Sequence, residues 1–353
     1  MATTSGSPTT RDPRQRDEIE LFPSFGKRDA NNSECLLLIR GHVTRPRHDG
    51  LGLRLLERFY LRAFRISPEE AAGPLYRDRI QGFLERARRG TLVRIHLPHG
   101  NCDLPRASRP NGHFQATIRI PTPGPWIDTL GDDEDRWIRI QASAARAPLP
   151  ADSRCPVLSH AGPSVISDID DTIKATHVAE RRLLIANTFL LPFEPIGGMA
   201  GVYRAWEGAG AAFHYVSSSP WQLFRPLQDF LAASGFPDGS FHLRTIQLRD
   251  PSILQLVFGK KRSKRRAMQS ILKWFPQRQF VLVGDAGEKD PELYGALARR
   301  HAPQIARIFI RRLPNADLSH SRLEKAFRQV DPRCWSLYSA PEELLSAIPQ
   351  ANV

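Results

Sequence analysis

The stretch Ser164-Val165-Ile166-Ser167-Asp168-Ile169-Asp170-Asp171-Thr172-Ile173-Lys174 constrains this chain more than any other. A short apolar run meets three aspartates and a threonine. Such a run, without polar alternation, reads as a strand buried on both faces of a parallel sheet. The aspartates then fall at the strand's carboxyl edge, where open α/β sheets place their ligands. Carboxylates so close repel one another, and a hard divalent cation such as Mg²⁺ relieves that repulsion with oxygen ligands. A solvated acidic turn has the same composition, so the stretch needs companions.

Three companions occur downstream. Phe213 to Val216 reads as a strand ending in Ser217-Ser218-Ser219-Pro220, with Ser219 as the cap and Pro220 as the first residue of a helix running to about Ser234. Ser217 could bind a phosphoryl oxygen beside free helix-end amides, or be a plain turn residue. The basic run Gly259 to Arg266 offers Lys260, Lys261 and Lys264 as counter-charges to a carboxylate and a phosphate. Lys264 is preferred because it begins the helix before the next buried strand; most of the run reads equally as solvated surface. Gln279 to Val283 is that strand, ending in Gly284-Asp285. Asp285 could complete a metal site with Asp168. Asp290 could support it or merely cap the helix opened by Asp290-Pro291. Acid pair, hydroxyl, lysine and Gly-Asp, each at a strand end or before a strand, form an order hard to reach by chance.

The surrounding organisation fits. At 353 residues the chain has room for two domains. Residues 1–18 read as a disordered tail without an apolar signal core. Residues 19–145 read as a β-rich domain, a small sandwich or barrel with one helix from Ser67-Pro68-Glu69-Glu70 to Arg89, and without a catalytic constellation. Residues 146–162, rich in proline and small residues, read as a linker. From 163 to 353, strands alternate with helices, which implies a doubly wound parallel sheet. Four well-separated cysteines suggest neither a disulfide framework nor a zinc site. No apolar stretch approaches the roughly 20 residues that span a bilayer. The net charge of +13 favours an anionic partner: nucleic acid, acidic membrane or phosphorylated substrate. A composition-biased proteome would also enrich arginine.

The stretch 168–174, with Asn187-Thr188-Phe189-Leu190-Leu191-Pro192-Phe193, Tyr215 to Leu223 and Val283 to Tyr294, resembles the actin-patch-associated phosphatidate phosphatase family, distantly related to the lipins. The resemblance covers about Ser164 to Ile310. It implies a haloacid dehalogenase-like fold and Mg²⁺-dependent conversion of phosphatidate to diacylglycerol. It further implies Asp168 as nucleophile, forming an aspartyl-phosphate, and Asp170 as acid and then base. Mg²⁺ would sit on Asp168, Asp285 and the Asp170 carbonyl. Ser217 would bind phosphoryl oxygen, Lys264 would offset charge and Thr172 would fix the loop. Asp171 fills a variable position and could orient a water; His177 and His214 read as structural. The fungal proteins' proline-rich tails are absent from this sequence, so an actin role does not carry over.

The expected partner is an anionic phospholipid, met in the cytoplasm or by peripheral membrane contact. Nucleic acid is disfavoured because aromatics for base stacking are not evident at the strand ends. Oligomeric state stays open. Thr176 to Ala200 should form a lid whose apolar residues, Phe189 and Phe193 among them, either pack in the core or meet acyl chains. The alternatives are a phosphatase of a soluble phosphomonoester, or an inert module that binds lipid or another partner. On the two-domain reading, catalysis on soluble phosphates survives removal of everything before Ser164.

Overall fold

The computed structural model describes residues 16–28, 34–47, 50–98, 100–121, 136–246, 262–314 and 316–347. The expected tail up to residue 15, Lys260 and Lys261 lie outside them.

The second half is built on a sheet whose central strands are buried along almost their whole length. β10 (Pro163–Ser167), β13 (Ala212–Pro220), β14 (Gly239–Arg244), β15 (Gln279–Asp285), β16 (Ile305–Arg311) and β17 (Trp335–Tyr338) form one sheet in the order β14-β13-β10-β15-β16-β17. Every neighbouring pair is parallel. Successive residues point to opposite faces. Val165, Phe213, Tyr215, Val281, Val283 and Phe309 enter one apolar core. Ile166, Val216, Phe280, Leu282, Ile308 and Ile310 enter the other. Helices cover both cores, so the strands read as continuous apolar runs. α5 (Met199–Gly208) and α6 (Phe224–Ala233) lie on the first face; α7 (Arg262–Trp274), α8 (Asp290–Arg300) and α9 (His320–Phe327) lie on the second. The chain runs outward from β10 to β13 and β14, then crosses back to β15 and continues to β16 and β17. The order therefore reverses between β10 and β15. Such reversals leave a crevice beyond the strands' carboxyl ends.

The first half is β-rich, as expected. β1 (Glu18–Phe22), β2 (Gly26–Arg28), β3 (Glu34–Arg45), β4 (Arg86–Ala87), β5 (Arg94–Leu97), β6 (Gly100–Asp103), β7 (His113–Pro121), β8 (Arg136–Ala144) and β9 (Ala147–Leu158) form a second sheet around its own core, with Ile39, Ile95, Phe114 and Ile140 inside. The linker expectation for residues 146–162 fails here. β9 runs through most of that segment, paired with both β8 and β2. Sheet pairing overrides the local proline signal.

Three helices replace the single one expected. α1 (Leu51–Phe64) was not foreseen. The helix begun at Ser67 stops as α2 (Pro68–Ala71), capped by Ser67 and Glu70 in a reciprocal box. α3 (Pro74–Leu84) restarts after Gly73, and the chain is extended again at β4. Pro74 cannot continue a helix from the turn before it, so it opens a new one.

These helices join the two halves. Phe22, Tyr60, Phe64, Ile66, Tyr76, Ile80, Phe83 and Leu84 belong to the same core as Val165, Tyr215 and Val283. At Gly82 on α3, a Cβ would lie 2.5 Å from the Gln222 carbonyl, so the absent side chain permits this approach. Burying one large apolar side chain is worth about 1.5–3 kcal/mol. Eight of them rival the about 5–15 kcal/mol that holds a whole domain folded. The fragment from residue 163 onward should therefore fail to fold alone. Size-exclusion chromatography and circular dichroism should show aggregated or unfolded material; a soluble fragment with a sharp thermal transition would contradict this.

Candidate active site

β10 ends at Ser167, and the chain turns sharply at its carboxyl edge. The Asp168 amide still bonds to the Val283 carbonyl of β15 (2.9 Å), which locks the first aspartate at the crevice. The turn closes through Asp171, in left-handed conformation at φ 56°. Its carboxylate accepts from the amides of Thr176 (2.8 Å), His177 (2.7 Å) and Val178 (2.7 Å). Asp171 thus holds the loop together rather than orienting a water. Thr172 is fully buried, its hydroxyl 3.4 Å from Asp168 Oδ2.

Lys264 reaches Asp168 because of where it falls on α7. Lys264, Met268, Ile271 and Leu272 are that helix's buried residues, a stripe at helical spacing. The lysine occupies the stripe's first turn, so its stem packs inward and its ammonium ends among the acids. Nζ lies 2.8 Å from Asp168 Oδ1, 2.6 Å from Asp290 Oδ1 and 3.9 Å from Glu288 Oε2.

Asp285 ends β15, and its Oδ1 accepts from the amides of Gly287 (2.7 Å) and Glu288 (3.1 Å). Asp290 lies in the first turn of α8. Gly284 lets them meet: a Cβ there would lie 2.3 Å from Asp290 Oδ2 and 2.7 Å from the Tyr294 hydroxyl. Asp168, Asp285 and Asp290 each offer an oxygen within 4.8 Å of the others'. Oδ2 of Asp285 and Oδ2 of Asp290 are buried without a hydrogen-bond partner. Unpaired buried oxygens are costly. Three carboxylates converging on such atoms fit a hard divalent cation.

The electrostatics agree. Burial, then the neighbouring Asp290, push Asp285 up to about 8 against the pull of Lys264. Burial likewise raises Asp168 well above the usual carboxylate range, opposed by Lys264 and reinforced by Asp290, Glu288 and Asp285. Burial works against the Lys264 charge, but Asp168 and Asp290 outweigh it and hold the ammonium firmly protonated.

Asp170 lives in a different environment. Its Oδ2 accepts from Ser217 Oγ (3.0 Å) and Ser219 Oγ (2.9 Å). Its Oδ1 accepts from Thr176 Oγ1 (2.9 Å) and faces Lys174 Nζ at 3.0 Å. Burial would raise this carboxyl, but Lys174 and the hydroxyls prevail and bring it to about 2. Its side chain is therefore committed to this clamp, apart from the three-acid cluster.

Ser219 departs from the expectation. β13 continues through Pro220, a 3₁₀ turn spans Trp221–Leu223, and α6 begins only at Phe224. Ser219 is no helix cap. Its amide donates to Ser217 Oγ (2.9 Å) while its hydroxyl turns to Asp170. A shift in the β13–β14 register between Val216 and Pro220 produces this turn. From sequence, Lys174 and Thr176 carry no role and Ser219 only that of a helix cap. Lys174 carried the one readable signal, a lysine four residues after Asp170. His214 lies apart, bonded to Ser240 (2.7 Å).

The segment 176–200 is closed at its base by β11 (Lys174–Ala175) pairing with β12 (Glu194–Pro195). It carries α4 (Arg181–Phe189). Of its two readings, core packing prevails for the phenylalanines. Phe189 is fully buried, stacked on Phe64 at 4.7 Å. Phe193 packs edge-on to Phe230 and beneath Arg79. Arg79 of α3 also donates to the carbonyls of Thr188 (3.1 Å) and Leu191 (2.6 Å). Leu183 and Leu191 remain exposed.

Residues 163–312 match the family model for the catalytic domain of phosphatidate phosphatase APP1. Phosphatidate phosphatase APP1 of Saccharomyces cerevisiae is 36% identical over 159 residues, 44% of this chain and 27% of that protein. An uncharacterised protein of Schizosaccharomyces pombe is 35% identical over 163 residues, 45% of this chain and 26% of that one. The chain thus spans about a quarter of the length of these relatives. Among solved structures, a β-glucuronidase of Parabacteroides merdae aligns over 84% of this chain and 34% of its own at 12% identity, with a TM-score of 0.27, too low to carry an argument.

A carboxyl group raised on folding contributes stability that is complete below its unfolded value, near 4, and lost as pH rises through its folded value. For Asp285 that window closes at about 8. A bound cation offsets the loss, by about 2.7 kcal/mol at one hundred times its Kd. MgCl₂ should therefore raise the melting temperature of the wild type more at pH 8 than at pH 5, and barely move Asp285→Asn. A wild type indifferent to Mg²⁺ at pH 8 would count against the cation site.

Proposed function

We propose that this protein, whose residues 163–312 match the catalytic-domain family model of phosphatidate phosphatase APP1, is a Mg²⁺-dependent phosphatidate phosphatase of haloacid dehalogenase-like fold. The reaction yields diacylglycerol and phosphate through an aspartyl-phosphate on Asp168. One observation carries the reading: a lysine-bridged acid cluster of Asp168, Asp285 and Asp290 stands at the crevice, with a separately clamped Asp170 two residues from Asp168.

The two aspartates divide the work. Asp168 forms the new bond to phosphorus as the ester oxygen departs. Lys264 offsets the charge that builds between carboxylate and phosphoryl oxygens. Mg²⁺, held by Asp168, Asp285 and Asp290 with the Asp170 carbonyl as a further oxygen, would supply additional charge neutralisation. Asp170 gives a proton to the leaving glyceride oxygen, then takes one from the water that cleaves the aspartyl-phosphate. Its hydroxyl and lysine clamp keeps it ionised, the form the second step needs. The first step needs the proton. An arriving phosphoryl dianion draws the Ser217 hydroxyl to itself and adds negative charge beside Asp170; both effects raise that carboxyl's proton affinity, so it takes up a proton from solvent before the ester bond breaks. Ser217 thus serves the phosphoryl oxygen and the acid in turn.

The net charge of +13 suits an anionic lipid substrate, met from the cytoplasm by peripheral contact. No helix among the described residues is long and apolar enough to cross a membrane. The intact acidic, hydroxyl and lysine groups argue against an inert binding module.

The test is phosphate release from phosphatidate in mixed micelles, beside lysophosphatidate, a soluble aryl phosphate and a 5′-phosphorylated oligonucleotide. Phosphatidate should be preferred. Activity should vanish with chelator and fall by about 10³-fold or more in Asp168→Asn, with the fold retained. Ser217→Ala should lose on the order of 10²-fold. Activity confined to soluble phosphates would overturn the lipid substrate, and folded protein inactive on every substrate would overturn the reaction.

A further inference from the structure

α1 has two faces, and the outer one is unlike an ordinary solvated helix surface. Tyr60 and Phe64 point inward, with Leu53, Leu56, Leu61 and Ala63 packed beside them. On the other side, Leu51, Leu55 and Phe59 stand 77%, 56% and 49% exposed. Their four-residue spacing lines them up in one row. Arg54, Arg58 and Arg62, all exposed and also four apart, form the adjacent row. The only acid in the helix, Glu57, is half-buried at the edge of the inner face. An isolated exposed leucine means nothing, but an apolar row flanked by a basic one is the pattern of a helix lying in a lipid headgroup layer.

We propose that the outer face of α1 docks the protein on an anionic phospholipid surface. Leu51, Leu55 and Phe59 enter the headgroup–acyl boundary, and Arg54, Arg58 and Arg62 pair with lipid phosphates. The choice of a lipid occupant rests in part on the phosphatidate reading, which already brings the site to an anionic bilayer; the charge pattern supports it independently. A second copy of the chain fits poorly. Apposed copies would bring arginine rows together, and three apolar side chains fall short of the about 800 Å² per partner that a stable dimer buries. At 14 residues, α1 is about 21 Å long, so it can lie in the interface but not cross about 30 Å of hydrocarbon.

The inner face shows what docking serves. Phe64 stacks on Phe189 of α4 at 4.7 Å, and Phe83 of α3 lies 5.6 Å from the same ring. α4 in turn carries Asn187, which donates to the Thr176 carbonyl (3.1 Å), and Thr176 bonds Asp170. One aromatic layer therefore separates the docking helix from the segment that frames the acid clamp. Leu183 and Leu191, exposed at 38% and 48%, lie in that same segment.

The experiment is flotation of the full-length chain with phosphatidylcholine vesicles, with and without about 30 mol% phosphatidylglycerol, an anionic lipid other than the proposed substrate. Two combined variants are compared, Leu51→Ser/Leu55→Ser/Phe59→Ser and Arg54→Gln/Arg58→Gln/Arg62→Gln. Wild type should bind anionic vesicles at least tenfold better than neutral ones. Each variant should lose about tenfold in that binding, with an unchanged melting temperature, because the altered side chains point into solvent. Wild-type binding indifferent to anionic lipid would overturn the proposal, as would variants that bind like wild type. So would a lipid-free dimer that the serine variant dissolves, since a second copy would then cover the face. If flotation behaves as expected while phosphatidate is not hydrolysed, the docking surface stands and the substrate reading falls.

Discussion

The Lys264 ammonium between Asp168 and Asp290 is the contact on which the site depends. Three carboxylates buried within a few ångströms of one another cannot all stay ionised without compensation. One buried cation takes an oxygen from each of two of them and leaves Oδ2 of Asp285 and Asp290 unpaired. Removing one partner from such a cluster is strongly destabilising, about 3–5 kcal/mol for a buried pair, because the other charge is stranded. The cluster is therefore a strain held in place by the fold around it, and its converging oxygens suit a divalent cation.

That fold does two things for the cluster. The parallel sheet reverses its order between β10 and β15, which puts Asp168 and Asp285 on neighbouring strand ends. The β-rich half, through α1 and α3, then braces the segment that frames Asp170. Arg79 holds the carbonyls of Thr188 and Leu191, and Phe64 and Phe83 pack on Phe189. The two halves share a core, so the β-rich half and the parallel sheet hold the site as one body. Asp168 and Asp170 are separated by one residue yet are pushed in opposite directions, because one points into the acid cluster and the other into a clamp of hydroxyls and Lys174.

Much of this was legible beforehand, and the misses have physical causes. Asp168, Asp285, Asp290 and Lys264 could be read because strand ends and helix starts leave strong local signals. Ser219 misled because Ser-Pro is a genuine helix-start signal, overruled here by a register shift in β13 that no local pattern reveals. Lys174 and Thr176 gained roles only when the loop folded back on Asp170. Pro148, Pro150 and Pro156 disguised β9 as a linker, since only its sheet partners make it a strand. α1 was missed because leucines and aromatics lie on both of its faces, which blurs the periodicity. That same excess of apolar surface makes its outer row notable.

In the proposed mechanism a carboxylate oxygen of Asp168 accepts the phosphoryl group. The direct measurement is a rapid acid quench during turnover of ³²P-phosphatidate with MgCl₂, followed by peptide mapping of any protein-bound label. A hydroxylamine-labile phosphate is expected on the peptide containing Asp168, absent in Asp168→Asn. Label on another residue, or turnover through a covalent intermediate that bypasses Asp168, would contradict it.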